Sequence, residues 1–246
     1  MSITDPWYIN KLTKEFEKAS IYMTDGDMYD TVIIDEGQDI LNLEYMTALD
    51  HILHGGLAEG RWRIFYDPNN QSAIFSSMNF NVIELLMDYS PVITKLSINC
   101  RNTNPIITHT KLFTGAEMAR KKAGDGPAVN IEFYDDKNRA AELLEEFLRD
   151  LVFENNFEEK SISILSPKSW EYSAASLMKP KWKKRIRVLE GSREDIFPYQ
   201  GITFSTIADF KGLENSIIAL VDIEDMDSTE EAKAHLYVGM TRARVK

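Results

Sequence analysis

A single cysteine, Cys100, is all the thiol chemistry available in this 246-residue sequence. It can close no internal disulfide and build no cysteine-rich zinc site, which excludes a disulfide-stapled scaffold. No apolar run approaches the ~20 residues needed to span a bilayer. The start, Met1-Ser2-Ile3-Thr4-Asp5-Pro6, has neither the basic n-region nor the apolar h-region of a secretory leader. The cytoplasm is therefore the expected location, with no membrane partner. Positive charge is scarce too: 28 Lys and Arg against 39 Asp and Glu leave a formal net charge of −11. No global positive field draws such a chain onto nucleic acid, so any contact of that kind must come from a local patch. Internal repeats and low-complexity tracts are absent. The histidines His51, His54, His109 and His235 have no metal-ligand spacing.

What remains is a globular composition, 43% hydrophobic and 11% aromatic, long enough for one large α/β domain or two small ones. Short β-rich apolar runs alternate with longer amphipathic stretches, the pattern of parallel strands joined by helices. Strands are expected near Thr31 to Ile34, Arg61 to Tyr66, Val92 to Leu96, Val129 to Tyr134, Ser161 to Leu165, Arg185 to Leu189, Ile202 to Thr206 and Ile217 to Val221. The clearest helices are Trp7 to Ala19, Leu43 to Leu53, Val82 to Tyr89, Pro105 to Lys121, Arg139 to Phe153 and Glu230 to Thr241. The Ser90-Pro91 break suggests a boundary between residues 1–91 and 92–246.

The strongest local signal is a buried-type strand, Thr31 to Ile34, running straight into Asp35-Glu36-Gly37-Gln38-Asp39. Catalytic groups collect at the C-terminal ends of such strands. Asp35 there could hold Mg²⁺ through water, and Glu36 could orient and deprotonate a water attacking a γ-phosphate. Asp-Glu alone is also what a solvated acidic turn looks like.

The full Asp-Glu-Gly-Gln-Asp pattern, together with segments downstream of it in the chain, resembles the UvrD/Rep-type superfamily 1 helicases, in which it is motif II, the Walker B element. Four further segments are similar to family motifs in the family's order. Asp67-Pro68-Asn69-Asn70-Gln71-Ser72 looks like motif III, with Tyr66 in place of a glycine and one extra residue before the glutamine. Gln71 is preferred over Asn70 as the γ-phosphate sensor. Leu96-Ser97-Ile98-Asn99-Cys100-Arg101-Asn102-Thr103 looks like motif IV, where Arg101 would reach the γ-phosphate and Cys100 replaces the tyrosine that stacks on adenine. Thr203-Phe204-Ser205-Thr206-Ile207-Ala208-Asp209-Phe210-Lys211-Gly212-Leu213-Glu214 resembles motif V, with Glu214 at the ribose position and Ala208 replacing a histidine that touches the nucleic acid. Leu236-Tyr237-Val238-Gly239-Met240-Thr241-Arg242-Ala243-Arg244 resembles motif VI and would make Arg242 an arginine finger.

This resemblance implies two RecA-like lobes of the P-loop NTPase type, the second complete (92–246) and the first partial (1–91). It implies ATP and Mg²⁺ as cofactors, with Asp35 on the metal. Asp35, Glu36, Gln71, Arg101 and Arg242 would be catalytic, and Gln38, Asp39, Lys211, Gly212 and Glu214 would contact the nucleotide. Single-stranded or partly duplex DNA is the implied partner. Thr206 is a candidate contact to it, joined by Lys181, Trp182 and Lys183 of the basic stretch Lys179 to Arg187, where lysines could track phosphates and the indole could stack on a base. That stretch also reads as a half-exposed strand edge with Trp182 covering the core.

Motif I, Gly-x-x-x-x-Gly-Lys-Ser/Thr, does not occur in these 246 residues, so no P-loop cradles the β- and γ-phosphates. The chain is accordingly expected to be a C-terminal portion of a longer motor, completed by a P-loop segment in cis or in trans and inactive alone. The space between motifs IV and V leaves no room for a large inserted subdomain, so the second lobe should be compact. Two other readings remain open. One is a non-catalytic, helicase-derived regulatory module acting with a partner, in line with the departures at Tyr66, Cys100 and Ala208. The other is a Mg²⁺ phosphohydrolase using Asp35, Glu36 and Asp39, which leaves Arg101, Gly212 and Arg242 unexplained.

Overall fold

A computed structural model describes residues 6–67, 80–189, 200–223 and 229–246. The chain forms two compact units, Met1–Lys95 and Leu96–Lys246, each mixed α/β with parallel strands.

In the first unit, α1 (Pro6–Ser20) packs on α2 (Leu43–Ile52). Asn42 caps α2 by accepting the Tyr45 N–H at 2.9 Å, which satisfies one of the donors a helix start leaves over. Strand β1 (Thr31–Ile34) pairs in parallel with β2 (Arg61–Ile64), Thr31 opposite Arg61 and Ile34 opposite Ile64. Parallel neighbours need a crossover, here supplied by α2 and the short α3 (Gly56–Glu59). Leu41, Met46 and Leu57 form the core with Val82 and Leu86 of α4 (Phe80–Asp88), each contributing about 1.5–3 kcal/mol by leaving water.

The second unit is built on four parallel strands in the order β6-β7-β5-β8: β5 (Ile162–Ser166), β6 (Ile186–Val188), β7 (Ile202–Thr206) and β8 (Ile217–Leu220). Every residue of β5 is buried, as expected of a central parallel strand covered on both faces. Its polar members are satisfied: the Ser163 and Thr203 hydroxyls bond each other at 2.7 Å, so burial leaves no orphan there. Ala141, Leu144 and Leu148 of α6 (Lys137–Arg149) join Ile164, Ile202, Phe204 and Trp182 in the core. Trp182 belongs to the short α7 (Pro180–Lys183). Helix α5 (Asn104–Thr114) packs against α8 (Glu230–Thr241). Beyond β8, Asp222 is buried with left-handed backbone (φ 59°). Its carboxylate accepts from Ser166 Oγ at 2.7 Å, Ser173 Oγ at 2.6 Å and Ala174 N at 2.9 Å, tying the loop after β5 to the end of β8.

Two expected strands do not form. Residues 92–96 and 129–134 carry the apolar, β-branched composition of strands, yet lie outside any ladder, and Val92 and Phe133 are 95% and 86% exposed. A strand exists only with a partner for its N–H and C=O groups, and among the described residues these segments have none in a sheet. The neighbouring pairing is the two-residue parallel ladder of β3 (Ile98–Asn99) with β4 (Arg120–Lys121). The helix expected over Pro105 to Lys121 stops at Thr114. Gly115, at φ 70°, turns the chain into the left-handed region that ends helices, and Arg120 and Lys121 are strand instead. Among the described residues no helix is long and apolar enough to cross a membrane.

Candidate functional site

The carboxylate turn of the first unit follows β1 without a break. Asp35 is exposed, and its carboxylate accepts the Glu36 N–H at 3.0 Å. Glu36 sits at φ 52°, ψ 43°, a left-handed conformation that costs a non-glycine residue about 1–3 kcal/mol and so needs its neighbours to hold it. They do so at both ends of the turn. The Gln38 side-chain amide donates to the Glu36 carboxylate, and the Gln38 carbonyl accepts the Asp67 N–H at 3.1 Å. Gly37 donates to Phe65 O at 2.8 Å. A Cβ at Gly37 would lie 2.6 Å from the Ile64 side chain, so only glycine lets the turn approach β2 this closely. Asp39 is half-buried. The geometry thus couples Asp35-Glu36 to Asp67 through the buried Gln38. Gln71, with Pro68 to Asn70 and Ser72, lies outside the described residues.

In the second unit, three segments far apart in sequence are fastened together. Asn99 accepts the N–H groups of Arg101 and Asn102, both at 3.0 Å, shaping the loop before α5. Asn102, 2% exposed, donates its side-chain amide to Thr241 O at 3.0 Å and Ala243 O at 2.6 Å. Thr103 donates to Val245 O at 3.0 Å. On the other flank, Asn215 N donates to Arg242 O at 3.1 Å and Arg244 N to Asn215 O at 2.9 Å. The connection carrying Lys211 to Glu214 leaves the C-terminal end of β7 and must return to the N-terminal end of β8. Thr206 and Glu214 therefore lie at opposite ends of the sheet. Gly212, at φ 78°, makes the turn.

This frame presents Arg101, Glu214 and Arg244 together. One Glu214 oxygen pairs with Arg101 Nε at 2.9 Å and the other faces Arg244 Nε at 3.7 Å. The second distance is an ion pair, too long for a hydrogen bond. Arg242 points elsewhere: it is 4% exposed, and its Nε donates to Val238 O at 3.3 Å. Arg244 has no role in the sequence reading, because the motif directs attention to the arginine two residues earlier. Only the geometry of the chain leaving α8 distinguishes the buried guanidinium from the exposed one. Cys100 is exposed, Lys211 half-buried.

Of the nucleic-acid candidates, Thr206 is engaged locally, donating to Asp209 Oδ2 at 2.7 Å and accepting its N–H at 3.0 Å. Lys181 and Lys183 are exposed on α7, and Lys183 Nζ donates to Ser176 O at 3.2 Å. Trp182 is a core side chain, 3% exposed and tilted against Phe153, which leaves its indole no open face for a base. Among the described residues no group of three or more His, Cys, Asp or Glu side chains forms a metal cage. Mg²⁺ bound with a nucleotide needs none, since phosphates and water supply most of its ligands beside one or two carboxylates. The exposed Asp35 fits that requirement. No protein-family model matches the chain, and no curated protein does either.

Proposed function

We propose that this chain is part of an ATP-dependent superfamily 1 DNA helicase or translocase of the UvrD/Rep type. In this reading the second unit is a RecA-like lobe and the first a partial one. The observation that carries it is the fastening of the Arg101, Glu214 and Arg242–Arg244 segments into one cluster, although 141 residues separate Asn102 from Ala243. Phosphate chemistry requires that kind of convergence.

In hydrolysis, Glu36 takes the proton of the attacking water, and its fixed backbone sets the direction of approach. Asp35 would hold Mg²⁺, which when bound neutralises charge on the phosphate oxygens. Arg101 donates to the γ-phosphate, Arg242 serves as the finger once drawn from the buried position in which its Nε donates to Val238 O, and Glu214 accepts from the ribose. Lys211 and Gly212 shape the loop that carries Glu214. A P-loop supplied by another segment, in cis or in trans, grips the triphosphate, and the work is movement on single-stranded DNA.

The test is the ATPase rate against single-stranded DNA concentration, for the chain alone and for an assembly with a P-loop segment. The chain alone should be silent and the assembly stimulated by DNA. Glu36→Gln should abolish turnover while sparing nucleotide binding, and Arg242→Lys should cost at least ~10²-fold in turnover. Robust hydrolysis by the chain alone would overturn the reading. Silence from a folded assembly would favour the regulatory module, which the exposed Cys100, offering no aromatic ring to a base, also supports.

A further inference from the structure

We propose that Glu214 is an internal counter-ion that occupies Arg101 and Arg244 while no nucleotide is bound, and that an incoming polyphosphate displaces it. Arg244 thereby becomes a further phosphate-binding arginine of the site, beside Arg101. The inference rests on the nucleotide reading above and adds to it a residue and an order of events.

Three observations carry it. First, the Glu214 carboxylate bridges, one oxygen toward each guanidinium. Two oxygens of a single phosphate would meet the same two donors, and arginine recognises both anions by the same planar fork. Secondly, the backbone frame does not depend on this bridge. Asn102 to Thr241 and Ala243, and Asn215 to Arg242 and Arg244, hold the loops through main-chain groups, so the carboxylate can leave without collapse of the site. Thirdly, the bridge is accessible. The Arg101, Glu214 and Arg244 side chains are 49%, 38% and 59% exposed, so water and ions reach the pair and exchange is cheap. On a chain of net charge −11, the bridge leaves one local positive charge. Its release leaves two, offered only when an anion has arrived to take them.

The experiment titrates the full chain with inorganic tripolyphosphate at low ionic strength by calorimetry, for the wild type, Glu214→Gln, and Glu214→Gln combined with Arg244→Ala. Glu214→Gln should tighten binding about fivefold, the factor a partly exposed ion pair is worth. Arg244→Ala in that background should reverse the gain. Unchanged or weaker binding in Glu214→Gln, indifference to Arg244→Ala, or no saturable binding by any of the three overturns the proposal. Tightening on this chain with no DNA-stimulated hydrolysis in the P-loop-bearing assembly would sink the helicase reading and leave this inference standing. Hydrolysis in the assembly without the binding response would do the reverse.

Discussion

Replacing Asn102 by alanine removes the clamp on which the second unit's cluster depends, and the structure sets the size of the loss. The side chain is 2% exposed, so solvent does not rescue its partners. Three hydrogen bonds disappear: those donated to Thr241 O and Ala243 O, and the one accepted from Asn99 Nδ2 at 3.0 Å. At about 1 kcal/mol net for each, the variant should lose roughly 3 kcal/mol, a large fraction of the 5–15 kcal/mol typical of a folded domain. Hydrogen exchange reads this locally. The Asn215 and Arg244 amides, which bridge the same junction, should lose about a hundredfold in protection, since about 1.4 kcal/mol is a factor of ten. The amides of β1, in the other unit, should not change. Asn102→Asp keeps the shape and the acceptor for Asn99 but turns an oxygen toward two carbonyls. It should be at least as damaging as alanine at neutral pH and partly recover in acid, where a protonated carboxyl can donate. Protection at Asn215 and Arg244 within threefold of wild type in Asn102→Ala would refute the reasoning.

Two further expectations concern turns. Gly212→Ala places a side chain where no atom lies within 4 Å but φ is 78°, so the cost is backbone strain alone, at least ~1 kcal/mol, visible as a lower Tm; an unchanged Tm would show that the turn relaxes freely. The Asp27 carboxylate accepts the Thr24 N–H and hydroxyl at 2.9 and 2.7 Å, and these bonds, the backbone one first, hold its pKa below the ordinary value. A lowered folded pKa contributes stability that is present above the unfolded value of about 3.9 and lost as pH falls through the folded one. Asp27→Asn should therefore be less stable than wild type at neutral pH, with the gap closing as pH falls below about 4, and a gap that persists unchanged into acid would contradict this.

Much of the architecture was legible where a segment carries its own signal. The β-branching of Thr31 to Ile34 and the alternation of Ile202 to Thr206 give those strands their observed bounds, although Ile33 is exposed in a strand whose sequence is of the buried type, and the pattern of Glu230 to Thr241 does the same for α8. It failed where structure depends on a partner. Val92 to Leu96 and Val129 to Tyr134 have strand composition without a ladder, and Gly115 ends a helix whose pattern runs on past it. At the candidate site, the carboxylate turn stands out because a strand runs into it. Arg244 does not, because its exposure follows from the exit of the chain from α8. Trp182 misleads for the opposite reason: lysines on either side suggest a surface, while α7 turns the indole into the core.

The clamp between Asn102 and Ala243 also has a consequence in time. A ribosome adding ~5–20 residues per second needs roughly 7 to 28 s to pass from one to the other, the 141 residues that separate them. Throughout that interval β5, β6 and β7 can be synthesised and begin to pair, while Arg101 and Glu214 wait for the segment that fastens their loops. All four strands of that sheet are therefore synthesised before the residues that clamp the loop ahead of α5.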